Sequence, residues 1–269
     1  PVEYFSRSAC SGQSVDCVEA IAKKTSKLKN ENWTFWKSVA WDEELRVISY
    51  DEESNSLITV ENGEQDLSAI FKTNLKTGDR RLVYKHDTVD IGAVLVDEEG
   101  AVFGTTLMDG YLSWVFFKVE NKEKDRIKEI GAKFPGSNIS ILSISDKEDK
   151  MTFTVSSDIN PGIHFLFDLN SAELTPLGKF WGSIDESKLS YMEPISFNAR
   201  DGTTIHGYLT KSAKGNSRNS PTIVHPHGGP EARDRWGFSP RVQMLASEGF
   251  NVLQINFRGS SGYGKSHQR

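Results

Sequence analysis

The sequence predicts a series of small antiparallel β-sheets, followed by the first strands of a sheet that helices cover. Short apolar runs separated by turns recur from Leu45 to about Leu177, which is typical of β-strands. Acidic turns return along this stretch at intervals of 46 and 49 positions, which indicates an internal repeat. After residue 191 the order becomes strand, strand, glycine loop, helix and buried strand, as in layered α/β domains.

The repeat has the length of a small four-stranded sheet. Its acidic turns are Asp51–Glu53, Asp97–Gly100 and Asp146–Asp149. A period of about 45 residues is typical of one four-stranded blade of a β-propeller. We therefore interpret residues 1–190 as a partial propeller, with about three blades after Leu45 and part of another before it. A β-sandwich without a repeat is the alternative interpretation.

Each blade is expected to contain four strands. The third strands of two blades also resemble each other, together with the turns after them, at Ala69–Gly78 and His164–Ala172. The predicted strands are Leu45–Tyr50, Ser56–Val60, Ser68–Thr73 and Arg81–Tyr84, then Ile91–Val96, Ala101–Leu107, Tyr111–Val119 and a weaker one near Ile127–Ile130, and finally Ile139–Ile144, Met151–Ser156, Ile163–Asp168 and Glu173–Leu177.

The second part follows a connector, Phe180–Tyr191, in which the alternating β pattern stops. Glu193–Leu209 then reads as two strands joined by a hairpin turn at Asp201-Gly202. A serine followed by a proline caps a predicted helix over residues 239–249, which a glycine ends. Val252–Phe257 is expected to be a strand that is buried on both faces.

The composition is that of an ordinary globular protein. Hydrophobic residues make up 37% and charged residues 26% of the 269 residues, which argues against disorder. A net charge of −5 gives no reason to expect a nucleic-acid partner. No apolar run reaches the roughly 18 residues that a membrane-spanning helix needs. Because the chain starts without Met or a signal peptide, we expect a piece of a longer protein. We expect that protein to be soluble, and its compartment, cytoplasmic or periplasmic, cannot be read from the sequence.

The most informative stretch is Pro221–Pro230. Its β-branched run, Thr222–Val224, predicts a buried strand that leads directly into His227, Gly228 and Gly229. Two successive glycines allow a sharp turn and leave backbone N–H groups uncovered. Uncovered N–H groups at the end of a strand can hold the oxyanion that develops in acyl transfer. An ordinary glycine-proline turn is the alternative.

Five short motifs follow one another in the second part. They are Arg200–Thr203, Ile205–Leu209, His225–Pro230, Asn256–Ser260 and Gly262–Gly264. In this order they resemble the start of the catalytic domain of prolyl-oligopeptidase-type (S9) serine peptidases, nearest to the acylaminoacyl-peptidase and dipeptidyl-aminopeptidase-like branch. The resemblance covers about a quarter of the chain.

This resemblance implies an α/β-hydrolase domain that follows a β-propeller. Residues 1–190 are then expected to be the C-terminal blades of the propeller, and residues 191–269 the N-terminal portion of the catalytic domain. The full-length protein is expected to be a serine-type peptidase that cleaves short peptides through an acyl-enzyme, with or without oligomer formation. There are two alternatives to a peptidase. One is an esterase or amidase of the α/β-hydrolase type, and the other is a non-catalytic propeller binding module.

The resemblance also implies roles for the glycine loop. The backbone N–H of Gly229 is expected to be one of two oxyanion donors, with His227 and Gly228 as supports. A nucleophile motif Gly-x-Ser-x-Gly is missing from the sequence, since its nearest match, Gly259–Tyr263, ends in tyrosine. The triad serine, aspartate and histidine lie further along in the family. We therefore expect this chain to be an inactive fragment without triad residues.

Two other candidate sites lie close to this loop. His225 and His227 are two positions apart, which on a strand places them on one face, but no third metal ligand follows nearby. We therefore expect no metal and no cofactor. Arg258 comes at the end of a predicted buried strand, where a guanidinium needs a partner. A salt bridge that holds the glycine loop is favoured over a contact with substrate.

Overall fold

The computed structural model describes residues 3–9, 18–24, 34–39, 43–97, 100–118, 120–145, 147, 149–215, 218–229 and 231–269. The described residues divide into two compact units. The first unit contains the described residues within Pro1–Asp109, Ser113–Val119 and Ser261–Arg269. The second unit contains the described residues within Gly110–Leu112 and Glu120–Ser260. In the part of the chain that is described, no helix has the length and apolar character to span a bilayer.

The first unit is built mainly from three antiparallel sheets, in which each strand pairs with the next one along the chain. The strands are β1 (Glu3–Ala9), β2 (Val18–Lys24) and β3 (Thr34–Val39), then β4 (Leu45–Asp51), β5 (Ser56–Glu61), β6 (Ala69–Asn74) and β7 (Arg80–Lys85), and finally β8 (Val94–Val96), β9 (Val102–Asp109) and β10 (Tyr111–Phe116), of which Tyr111 and Leu112 are grouped with the second unit.

The end of the chain packs into the core of this first unit. Tyr263 is buried there together with side chains such as Val60 and Ile70. The carboxylate of Asp66 accepts hydrogen bonds from the backbone N–H and the hydroxyl of Ser266, at 2.6 and 2.8 Å. These bonds hold the first turn of a short helix, α3 (Lys265–Gln268). The C-terminal segment is therefore docked on this unit.

The second unit contains one antiparallel sheet and one mixed sheet. In the mixed sheet the order is β15-β16-β18-β17, with β16 antiparallel and β17 parallel to β18. The elements are α1 (Lys122–Lys133), β11 (Asn138–Ile144), β12 (Lys150–Ser156), β13 (Ile163–Asp168), β14 (Leu174–Lys179), a short 3-10 helix (Glu186–Lys188), β15 (Met192–Asn198), β16 (Thr204–Thr210), β17 (Thr222–Val224), α2 (Pro240–Ser247) and β18 (Asn251–Asn256).

Most of the predicted strands are confirmed, but the weaker one near Ile127–Ile130 is wrong. This stretch belongs to α1, which begins where the side chain of Asn121 accepts a hydrogen bond from the N–H of Lys124 at 3.0 Å. Ile127 and Ile130 are three positions apart, so a helix places both on the same face, where both are buried. Their spacing fits a helix better than the alternation of a strand.

The resemblance between Ala69–Gly78 and His164–Ala172 corresponds to a shared structure. Both segments contain the third strand of a four-stranded antiparallel sheet, β6 and β13. At the end of β6 the side chain of Asn74 accepts hydrogen bonds from two backbone N–H groups at 2.9 Å. At the end of β13 the side chain of Asp168 accepts two such bonds at 3.0 Å. The same turn therefore closes both strands.

The strand Thr222–Val224 is present as β17, but the prediction that it is buried is wrong. Val224 is 57% exposed. β17 lies at the edge of the mixed sheet and has β18 as its one neighbour among the described strands. A β-branched run therefore marked the strand correctly, but it could not show that the strand is at an edge.

A buried polar network joins the connector to α2 and to the loop after β12. The side-chain amide of Gln243 donates to the carbonyl oxygens of Ser190 and Asp158, at 2.8 and 3.0 Å. Its oxygen accepts from the Ser190 N–H at 2.9 Å. The carboxylate of Asp158 accepts from the N–H of Met192, at 2.6 Å, where β15 begins. Each of these groups is buried, so each depends on its partner.

Asp158 makes the stability of this network depend on pH. Burial raises the pKa of its carboxyl, because the charged form loses hydration. The folded protein then holds the proton more tightly than the unfolded chain does. The Asp158 carboxyl therefore contributes its full share of the free energy of unfolding when the pH is below its ordinary pKa of 3.8. This contribution is lost as the pH rises through the raised pKa of the folded protein.

We expect Asp158→Asn to remove this pH-dependent loss of stability. The amide oxygen of asparagine still accepts a hydrogen bond from the Met192 N–H, and the side chain carries no charge. Urea denaturation between about pH 4 and pH 7 measures the free energy of unfolding of both proteins. The values for the variant and the wild type should differ least near pH 4, and the variant should gain relative to the wild type as pH rises. Parallel pH profiles would contradict this account.

Candidate functional site

The loop of residues 225–229 is positioned by the parallel pairing of β17 with β18. Val224 lies opposite Leu253, and the N–H of His225 donates to the Leu253 carbonyl at 2.8 Å. The carboxyl ends of parallel strands share one edge of a sheet, so this loop lies beside the segment that follows β18. His225 and His227 are therefore in the loop, and the assumption that both lie on a strand is wrong.

Gly229 has a backbone conformation that requires glycine. Its φ angle is +147°, and a Cβ atom at this position would lie 2.9 Å from the N atom of Glu231 and 3.2 Å from that of Ala232. At Gly228 the added Cβ atom would meet nothing within 4 Å. Both glycines are exposed. Among the described residues, none accepts a hydrogen bond from the Gly229 N–H.

His227 is held on three sides. Its ring stacks on the ring of Phe257, with centroids 4.5 Å apart and planes 14° apart. Its Nδ1 atom is 3.0 Å from the carbonyl oxygen of Gly228, and its Nε2 atom is 2.8 Å from the hydroxyl oxygen of Ser260. The roles predicted for His227, Gly228 and Gly229 around an oxyanion stay predictions.

The segment that follows the loop is tied to β18 by amide side chains. Asn256 accepts from the Asp234 N–H at 2.7 Å and donates to the Asp234 carbonyl at 3.1 Å. Gln254 donates to the Asp234 carboxylate at 2.8 Å. Sequence reasoning missed these contacts. A signal was present, because polar residues in a strand expected to be buried need hydrogen-bond partners.

Arg258 forms an ion pair with Asp201, in the hairpin turn between β15 and β16. A salt bridge at Arg258 is confirmed, but it does not reach the glycine loop, and the expected burial is wrong, since the side chains are 52% and 56% exposed. The N–H and hydroxyl of Thr203, and then the Arg258 guanidinium, lower the pKa of the Asp201 carboxyl. An exposed pair of this kind contributes little to stability. It links the end of β18 to the hairpin turn between β15 and β16.

The described residues contain no cluster of three or more His, Cys, Asp or Glu side chains that could share a metal ion. His206 lies in β16, as predicted. His267 lies in α3 and is 6% exposed, next to Tyr263.

Comparison with known proteins gives a consistent set of relatives, although no family model matches the chain. Dipeptidyl aminopeptidase BIII of Pseudoxanthomonas mexicana is 26% identical over 221 residues, which are 79% of this chain and 32% of the relative. Dipeptidyl peptidase family member 6 of Caenorhabditis elegans is 25% identical over 268 residues, 88% of this chain and 36% of the relative. The chain thus spans about a third of the length of these curated relatives.

The fold is also similar to solved structures. A puromycin-hydrolyzing peptidase of Mycobacterium tuberculosis superimposes with a TM-score of 0.65 at 14% sequence identity. The match covers 94% of this chain and 40% of that peptidase. The similarity therefore extends over the β-sheets of both units and is not confined to the segment that carries the glycine loop.

Proposed function

We propose that the whole protein is a serine peptidase of the prolyl oligopeptidase (S9) family and that it cleaves short peptides through an acyl-enzyme intermediate. The observation that carries this proposal is the backbone of Gly229. Gly229 is an exposed residue in the loop after β17, its conformation favours glycine, and none of the described residues accepts from its N–H, which supports a role for this N–H as a preformed oxyanion donor.

In the proposed reaction a serine hydroxyl attacks the carbonyl carbon of the scissile bond, and negative charge develops on the carbonyl oxygen. The Gly229 N–H donates a hydrogen bond to this oxygen, and His227 and Gly228 hold the loop in place. A histidine takes the serine proton and later gives it to the leaving amine. The triad and the second oxyanion donor would come from residues outside these 269, in the order known for α/β-hydrolases.

We also propose that residues 1–190 are the C-terminal blades of a β-propeller and that residues 191–269 begin the α/β-hydrolase domain. The successive antiparallel sheets and the turn shared by β6 and β13 support the first assignment. The mixed sheet, with parallel strands joined through α2, supports the second. A propeller over the cleft would restrict substrates to short or unfolded peptides.

The test is hydrolysis by the whole protein. Because two relatives are named for dipeptidyl peptidase activity, dipeptidyl p-nitroanilides are the first substrates, with p-nitrophenyl esters for comparison. A peptidase cleaves the anilides and loses activity when a fluorophosphonate labels its serine. Hydrolysis of esters alone would indicate an esterase. If neither substrate is cleaved and no residue is labelled, a binding module is the better description.

A further inference from the structure

Ser260 is a fully buried residue that contacts the glycine loop. Its side chain is 0% exposed, and its N–H donates to the carbonyl of Phe257 at 2.9 Å. Its hydroxyl oxygen lies 2.8 Å from Nε2 of His227. A buried hydroxyl that binds a side chain from another loop fixes that side chain in one orientation.

The direction of the hydrogen bonds follows from the chemistry of the groups. The carbonyl oxygen of Gly228 can only accept, so Nδ1 of His227 donates to it. In a neutral imidazole the Nε2 atom then accepts a hydrogen bond from the hydroxyl of Ser260. The contacts form a chain from Ser260 through the imidazole to the peptide between Gly228 and Gly229.

This peptide carries the proposed oxyanion donor. In a planar trans peptide the C=O and the N–H point in opposite directions. When His227 holds the Gly228 carbonyl, the Gly229 N–H must therefore point away from the imidazole. We infer that Ser260 is a positioning residue, which acts through His227 to set the direction of the Gly229 N–H. Its effect on catalysis rests on the proposed function.

A hydroxyl and an imidazole at 2.8 Å also suggest a nucleophile and its base, but the geometry argues against this role. Ser260 is inaccessible to a substrate. The Nδ1 atom of His227 binds a carbonyl oxygen, whereas the base of a triad binds a carboxylate there. The pair therefore orients the loop and does not attack a substrate.

The first test uses the whole protein and the variants Ser260→Ala and His227→Ala, alone and together. We expect Ser260→Ala to lower kcat about tenfold with KM unchanged, because a misdirected donor acts mainly in the transition state. Because Ser260 acts through His227, Ser260→Ala should lower kcat no further once His227 is alanine. Ser261→Ala, the same change at the next residue, should leave kcat at the wild-type value.

A normal kcat in Ser260→Ala, or a loss that adds fully to that of His227→Ala, would overturn the inference.

The second test is independent of activity. In the whole protein with ¹⁵N-labelled histidine, the His227 Nε2 signal should show an accepted hydrogen bond, which Ser260→Ala removes and Ser261→Ala keeps. If no peptide or ester is cleaved, the proposed function fails. An unchanged Nε2 signal in Ser260→Ala then still refutes the positioning role, and a changed one supports it.

Discussion

Gly229→Ala is expected to lower kcat of the whole protein about 10²- to 10³-fold, the range for losing one oxyanion donor. Alanine rarely adopts a φ of +147°, and its Cβ atom would lie 2.9 Å from the N atom of Glu231. The backbone must then shift, which displaces the N–H. Because the donor acts chiefly in the transition state, KM should change much less than kcat.

The matched control is Gly228→Ala, one position earlier in the same loop. A Cβ atom at Gly228 meets nothing within 4 Å, and alanine keeps the backbone carbonyl through which Gly228 binds His227, so kcat should remain close to the wild-type value. Steady-state kinetics with a dipeptidyl anilide measures both variants, and circular dichroism checks that each is folded. Equal losses in the two variants would show that the loop tolerates no side chain at all, and would remove the argument for Gly229 as the donor.

Gln243→Leu is expected to lower the free energy of unfolding by about 3 kcal/mol. Leucine has a similar size but makes no hydrogen bonds. The N–H and the carbonyl of Ser190 and the carbonyl of Asp158 would then be buried without the amide that binds them. Each such group costs about 1–3 kcal/mol, and partial access of water keeps the total below the simple sum.

Met244→Ala is the control for this variant, because Met244 is the next residue of α2 and is 58% exposed. It should change the free energy of unfolding by less than about 0.5 kcal/mol, as surface substitutions usually do. Urea denaturation of both variants measures the difference. If Gln243→Leu is as stable as the wild type, the network does not hold the connector against α2.

Local pattern was enough for most strands but not for every element. The strands from β4 to β7 follow the apolar runs closely, because alternation and turn residues are local signals. α1 was missed because a strand was expected from the repeat, although the spacing of Ile127 and Ile130 fits a helix. Exposure of β17 depends on its place in the sheet order, which no local window contains.

The glycine loop could be found from sequence, but the residues that hold it could not. His227 and Ser260 are in hydrogen-bond contact although they come from different loops. Their contact depends on the register between β17 and β18, which the sequence does not specify. The partners of Asp234 in β18 depend on the same register. Only buried polar residues, such as Asn256, indicated that such contacts exist.

The parallel pairing of β17 with β18 has a consequence for biosynthesis. The ribosome releases β17 and its glycine loop before α2 and β18, yet parallel strands can pair only after the crossover between them is complete. Phe257 and Ser260, which hold His227, are translated later still. During synthesis the loop therefore lacks the strand and side chains that position it. It acquires its conformation in a late, non-local step of folding.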